Sequence, residues 1–255
     1  MTDTAQSPEP RIGTVTVHEI WSSLKAGLWD FRTAPVFGLF FSAFYVASGL
    51  VLWWIGAGTF LWTLAFALGF PLVAPFAAVG LYEVSRRLEA DEPLTWRGVL
   101  GVVWAERGRQ LPWMGAILAM IFLFWSFFAH MATALALGPS SLTGDPLDVM
   151  LASNTGRIML LVQVLVGGAV AFLTFGLTVL SLPYLVDREV DFVTAMLTSL
   201  RAVGRNRLPM ILWAGVVALS LGLAMLPLFL GLFVALPVLG HATWHLYRRT
   251  LYTPG

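Results

Sequence analysis

Residues 209–244 read PMILWAGVVALSLGLAMLPLFLGLFVALPVLGHATW, a run of 36 residues without Asp, Glu, Lys or Arg. A helix crosses roughly 30 Å of hydrocarbon with about 20 apolar residues, so Pro209 to Trp244 is too long for one span and too short for three. It is expected to fold back between Gly222 and Pro227. The same arithmetic divides Ala34 to Tyr82 into two helices at Gly56-Ala57-Gly58-Thr59 and leaves Leu111 to Leu137 and Ile158 to Leu182 as single spans. These two are joined by Gly138 to Arg157, where Asp145-Pro146 reads as an N-cap and first-turn pair opening a short surface helix. The count is six.

Composition agrees. Hydrophobic residues make up 58% of the chain and charged residues 11%, against roughly 45–50% and 25% in soluble domains. A net charge of +1 gives no global basic field and hence no expectation of nucleic acid as a partner. The absence of cysteine excludes disulfides, thiolate nucleophiles and thiolate metal sites. The polar first sixteen residues lack the pattern of a cleaved signal peptide; they are expected to be disordered, with residues 17–252 as one membrane domain.

Of the 15 Lys and Arg residues, all but Arg157 lie in alternate connections. Arg11, Lys25 and Arg32 precede the first span; Arg86, Arg87, Arg97, Arg107 and Arg109 follow the second. Arg188, Arg201, Arg205 and Arg207 follow the fourth, and Arg248 and Arg249 end the chain. Basic residues beside spans stay on the cytoplasmic side, so both termini are expected inside. The cytoplasmic segments carry helical apolar stripes: Val17, Ile20, Trp21, Leu24, Leu28 and Phe31; then Trp96, Val99, Leu100 and Val103; then Phe192, Met196, Leu200 and Val203. Each precedes a proline that starts a span, namely Pro35, Pro112 and Pro209. At the exits an aromatic is followed four residues later by an arginine: Tyr82 and Arg86, Tyr184 and Arg188, Trp244 and Arg248. The expected fold is therefore all-α. It has six transmembrane helices as three parallel hairpin repeats (about 17–91, 92–191 and 192–252), each preceded by a cytoplasmic interfacial amphipathic helix.

The stretches Val79-Gly80-Leu81-Tyr82-Glu83-Val84-Ser85-Arg86-Arg87-Leu88-Glu89 and Leu182-Pro183-Tyr184-Leu185-Val186-Asp187-Arg188-Glu189-Val190-Asp191 resemble signatures of the domain-of-unknown-function 2189 family of bacterial integral membrane proteins. Trp21, Leu24, Gly27, Asp30 and Pro35 resemble that family's opening segment, and Asn206-Arg207-Leu208-Pro209 stands where an Asn-Pro step is expected. The resemblance implies the fold and the bacterial inner membrane, with no activity attached.

Few residues point to chemistry. No acidic residue falls in the core of an expected span, which weighs against ion-coupled transport. His130 is expected near the outer surface and His241 and His245 at the inner end of the sixth span, too far apart in depth for joint haem ligation. The latter two read as interfacial packing and headgroup contact, with no third metal ligand nearby. No Ser/His/Asp set is expected at one depth, and no cofactor or metal is expected. Glu83 with Arg86 and Arg87, and Asp187 with Arg188, form either a solvated helix extension tied to lipid phosphates or a cytoplasmic docking point. Gln163, Gly167, Ala171, Thr174 and Thr178 form a small and polar stripe, a helix-packing seam or the lining of a pathway. Pro71, Pro75 and Pro237 are expected to kink their helices. The expectation for function is a non-enzymatic interaction, assembly or lipid-organising factor, with the bilayer and a membrane or cytoplasmic protein as partners. The alternative is a small permease for an uncharged or amphiphilic solute.

Overall fold

In the computed structural model the described residues are 10–54, 60–142 and 146–252, without the side chains of 52, 60–73, 140, 142, 146 and 147. The break at Gly56-Ala57-Gly58-Thr59, Asp145 of the expected cap and the side chain of Pro71 lie outside them.

The fold is all-α apart from one short ribbon. Helix α1 (Val17–Thr33) opens on a capping box: Thr16 Oγ1 accepts from the Glu19 N–H at 3.3 Å, and the Glu19 carboxylate accepts from the Thr16 N–H at 2.6 Å. The chain then turns through 101° and α2 (Pro35–Trp54) begins on its proline, where the missing N–H leaves no acceptor stranded. Helix α3 (Phe60–Glu89) is followed by α4 (Trp96–Glu106), which Thr95 caps through the Gly98 N–H. Helix α5 (Leu111–Leu137) has the bounds expected for the third span. After a 3₁₀ turn at Pro139–Leu142 come α6 (Pro146–Leu151) and α7 (Asn154–Thr178). Helix α7 stops before Leu182, and a short α8 (Ser181–Asp187) completes the expected fourth span. Asp191 caps α9 (Phe192–Arg205) through the Thr194 N–H at 2.9 Å.

Helix α10 (Arg207–Met225) and α11 (Leu232–Thr250) are separated by residues 226–231. The expected break began at Gly222, but that glycine stays helical and the chain turns at Leu228 and Phe229, whose φ values are 50° and 64°. The left-handed region is costly for such residues; here the Phe229 ring lies over Gly49, where an added Cβ would sit 2.7 Å from it. Among the described residues, α5, α7 with α8, and α10 are long and apolar enough to cross a membrane, with a fourth span if the bent pair α1 and α2 counts as one.

The N-terminal segment was expected to be disordered to residue 16. Instead β1 (Arg11–Ile12) pairs antiparallel with β2 (Leu251–Tyr252), and the Gly13 N–H donates to Thr250 O at 2.8 Å. Asn206, buried between α9 and α10, accepts from the Val15 N–H at 2.7 Å and donates to Gly13 O at 3.0 Å. Two short extended ends thus satisfy each other's backbone groups, and an asparagine side chain completes the pairing.

The chain divides into two compact units. The first comprises 1–50, 74–113 and 175–255, the second 51–73 and 114–174. In the first, Phe37, Phe41, Ala77, Leu81, Val84 and Val99 form one apolar core, and Val46, Ala224 and Leu232 another. Helix α1 lies along α11 so closely that a Cβ on Gly27 would be 2.5 Å from Ala242 N and 2.6 Å from Val238 O. Only glycine permits that approach. In the second unit α5 and α7 meet at Trp125, whose ring would stand 2.7 Å from a Cβ on Gly167.

Candidate functional site

Glu83 sits on α3 three and four residues before Arg86 and Arg87, so all three side chains share one helical face. Its Oε2 accepts from Arg86 Nε at 2.7 Å and its Oε1 from Arg87 Nε at 2.6 Å. Arg86 also makes two hydrogen bonds of 2.8 Å to Glu92, holding that carboxyl below its ordinary range. The solvated reading of Glu83 is corrected: its carboxylate is 1% exposed. The Arg87 guanidinium that binds it is laid against Gly98 of α4, where a Cβ would be 2.9 Å from Cζ. Two cations satisfy both oxygens, as a buried carboxylate requires.

The second expected pair is also engaged. Asp187 Oδ2 accepts from the Tyr247 hydroxyl at 2.7 Å and lies 3.4 Å from Arg188 Nε and 3.5 Å from Arg248 NH1. Arg248 reaches Glu89 Oε1 at 3.2 Å, and Trp244 Nε1 donates to Glu89 Oε2 at 2.9 Å. The end of α11 is thus held by carboxylates from α3 and α8. The exit aromatics are enclosed by this packing. Tyr82, Tyr184 and Trp244 are all buried, with the Tyr247 ring tilted against Trp244 at 5.5 Å and against Tyr184 at 6.2 Å between centroids. Their rings are enclosed, while Arg188 and Arg248 are exposed.

A third cluster was not anticipated. Asp30 of α1 is 1% exposed, and its Oδ2 accepts from Ser85 Oγ of α3 at 2.6 Å and from His245 Nε2 of α11 at 2.8 Å. Ser85 Oγ lies 2.8 Å from His241 Nδ1. With its one proton given to Asp30, Ser85 must accept from His241 Nδ1–H, which leaves Nε2 as the bare nitrogen. That atom is buried without a partner. The headgroup reading of His241 therefore fails, since the side chain is wholly enclosed. So does the expectation that Ser, His and Asp would not meet. Their order, however, is Asp–Ser–His. A catalytic triad places histidine between the other two so that it can take the hydroxyl proton; here the serine stands in the middle and is wholly buried. The sequence did carry a signal: Ser23, Gly27 and Asp30 share a face of α1 at spacing 4 and 3, a small and polar stripe beside its apolar one.

The α7 stripe is divided. Gln163 Nε2 donates to Thr133 Oγ1 at 2.6 Å and to Ala129 O at 3.1 Å on α5, and Gly167 meets Trp125. Ala171 is exposed, while the Thr174 hydroxyl donates within α7 to Val170 O and the Thr178 hydroxyl to Phe175 O. Pro237 lies in α11 against Gly38, whose added Cβ would be 2.8 Å from the ring. His130 Nδ1 lies 2.7 Å from Ser126 O of its own helix. Among the described residues no set of three His, Asp or Glu side chains is placed to hold a metal ion.

Helices α1, α4 and α9 are built unlike helices of a soluble core. Towards the protein α1 turns Ile20, Ser23, Gly27 and Asp30, and α9 turns Ala195, Thr198, Ser199 and Ala202. Ser199 Oγ accepts from the Leu180 N–H at 3.2 Å and donates to Gly176 O at 2.7 Å, stitching α9 to the bend between α7 and α8. Outward, α1 presents Trp21 (61% exposed), Lys25 and Trp29; α4 presents Arg97, Leu100 and Trp104 (65%); α9 presents Val193, Leu197, Arg201 and Arg205. Each helix keeps exposed large apolar and basic side chains on its outward face, while Ile20, Val99, Met196 and Val203 are buried with the small and polar groups. Arg107 lies flat on Trp104, 3.5 Å from the ring centroid.

Long helices with apolar side chains turned outward define an integral membrane protein. Residues 62–187 match the model of the DUF2189 family, described as a predicted integral membrane protein. Both motifs that carried the resemblance reach into this stretch, whereas Trp21 to Pro35 lie outside it. Neither a curated protein nor a solved structure matches the chain.

Proposed function

We propose that the chain crosses a bacterial inner membrane six times with both termini in the cytoplasm, as three helix-proline-hairpin units. In this reading it is a non-enzymatic interaction, assembly or lipid-organising factor whose collar of α1, α4 and α9 lies at the inner headgroup layer. The observation that carries this is the outward face of those three helices. Tryptophan and leucine alternating with arginine and lysine at helical spacing suit a surface that is apolar below and anionic above. Inward, the same helices are bonded to the bundle, so the collar is a fixed part of the molecule. The clusters at Glu83 and Asp187 hold it together and are not docking points.

The permease alternative has one observation in its favour, the buried chain His245, Asp30, Ser85, His241, because polar groups inside membrane proteins line solute paths. Ser85→Cys separates the two in this cysteine-free protein. A closed tie predicts no reaction with a small neutral maleimide in the folded protein and full reaction after denaturation. Fast labelling in the folded state would mean that solvent reaches the centre, and the permease reading would replace this one.

A further inference from the structure

We propose that the outward face of the collar binds anionic phospholipid headgroups of the phosphatidylglycerol kind, with the densest site at the corner between α9 and α10. The inference rests on the inner-face orientation given above and names the ligand of that surface. Its basis is an unequal use of charge. Most acidic side chains near the collar are engaged: Glu83, Glu89, Glu92, Glu106, Asp187 and Glu189 stand in ion pairs, Asp30 is buried and hydrogen-bonded to Ser85 and His245, Glu19 and Asp191 cap helices, and Asp91 stands exposed in the turn between α3 and α4. Among the described residues no ion pair engages Arg201, Arg205 or Arg207, and all three are exposed. A chain of net charge +1 thus presents a locally cationic face.

The corner is arranged for a phosphate. Arg201 and Arg205 are one turn apart on α9, and Arg207 opens α10. Arg207 Nε donates to Gly204 O at 3.1 Å, which fixes the guanidinium plane and leaves its two terminal nitrogens for a ligand. No neighbouring side chain crowds Gly204, whose Cβ position is open. A planar guanidinium matches two phosphate oxygens at once. Around these cations stand the exposed Leu197, Leu200 and Leu208. This favours a lipid over an acidic protein, because an acidic surface offers nothing to cover leucines, whereas a phospholipid supplies a phosphate with acyl chains beneath it.

The test is native mass spectrometry of the full chain in neutral detergent, titrated with phosphatidylglycerol or phosphatidylcholine. The wild type should retain phosphatidylglycerol about tenfold better, a preference that falls with added salt. The triple variant Arg201→Gln, Arg205→Gln, Arg207→Gln should lose that preference, Arg207→Gln alone should weaken it, and Arg157→Gln should leave it intact. Equal retention of the two lipids, or a triple variant that keeps both the preference and its melting temperature, overturns the inference. Displacement of the lipid by free glycerol phosphate would also overturn it, marking a soluble phosphate site. If instead a cysteine at Gly204 reacts from outside sealed cells, the orientation itself has failed, an outcome separable from loss of lipid preference alone.

Discussion

Glu83 and Glu92 both bind Arg86, yet they should differ sharply in what they contribute. Glu83 is buried, and its removal strands two arginines in a partly dry site. Glu92 stands at the rim, where solvent replaces it. Truncating one partner of a buried ion pair costs about 3–5 kcal/mol, an exposed pair about 0–1 kcal/mol. Glu83→Ala should therefore lower stability by roughly 3 kcal/mol and Glu92→Ala by under about 1 kcal/mol, measured by denaturant unfolding in detergent. Similar losses for the two would mean that Glu83 is not enclosed. The pairing of Glu83 with Arg86 and Arg87 was legible in the sequence because it is set by helical spacing within one helix. Its burial was not, because that depends on how other elements pack against α3, as Gly98 of α4 does against Arg87. Asp30, Ser85 and His241 lie on three elements: the small and polar stripe of α1 marks a close approach, but nothing local shows which residues it meets.

Local signals explain the elements well. Thr16 with Glu19, Thr95 and Asp191 are cap residues readable in the sequence, and prolines at the first turns of α2, α5 and α10 mark where each helix starts. The stripes of α1 and α9 were less legible, since an apolar face can be turned to lipid or to protein. In α9 Met196 and Val203 went inward while Leu200 stayed out; the choice follows from where small residues allow close approach. Gly27 is the sharpest case. Gly27→Leu places carbon where Ala242 N and Val238 O stand, so α1 must leave α11 and break the bonds of Asp30 to Ser85 and His245. Overpacking of this kind costs about 1–3 kcal/mol before those bonds are lost. Trypsin should then cut at Lys25 and Arg32 at least several times faster than in the wild type, with Gly27→Ala intermediate. Cleavage at the wild-type rate would show that α1 is held by lipid and not by α11.

For the whole molecule, the central claim is that the inward-tied, outward-amphipathic collar lies on the cytoplasmic side of six spans. The alternation of basic residues carries that claim in the sequence, and the exposed stripes of α1, α4 and α9 carry it in the fold. The most direct measurement is labelling of single cysteines in sealed spheroplasts by a membrane-impermeant thiol reagent. Four exposed positions are suited to it: Ala90, Ala152, Gly204 and Leu226. Ala152→Cys and Leu226→Cys should react in intact cells, and Ala90→Cys and Gly204→Cys only after permeabilisation. Reaction of Gly204→Cys or Ala90→Cys in sealed cells would place the collar outside and contradict the account.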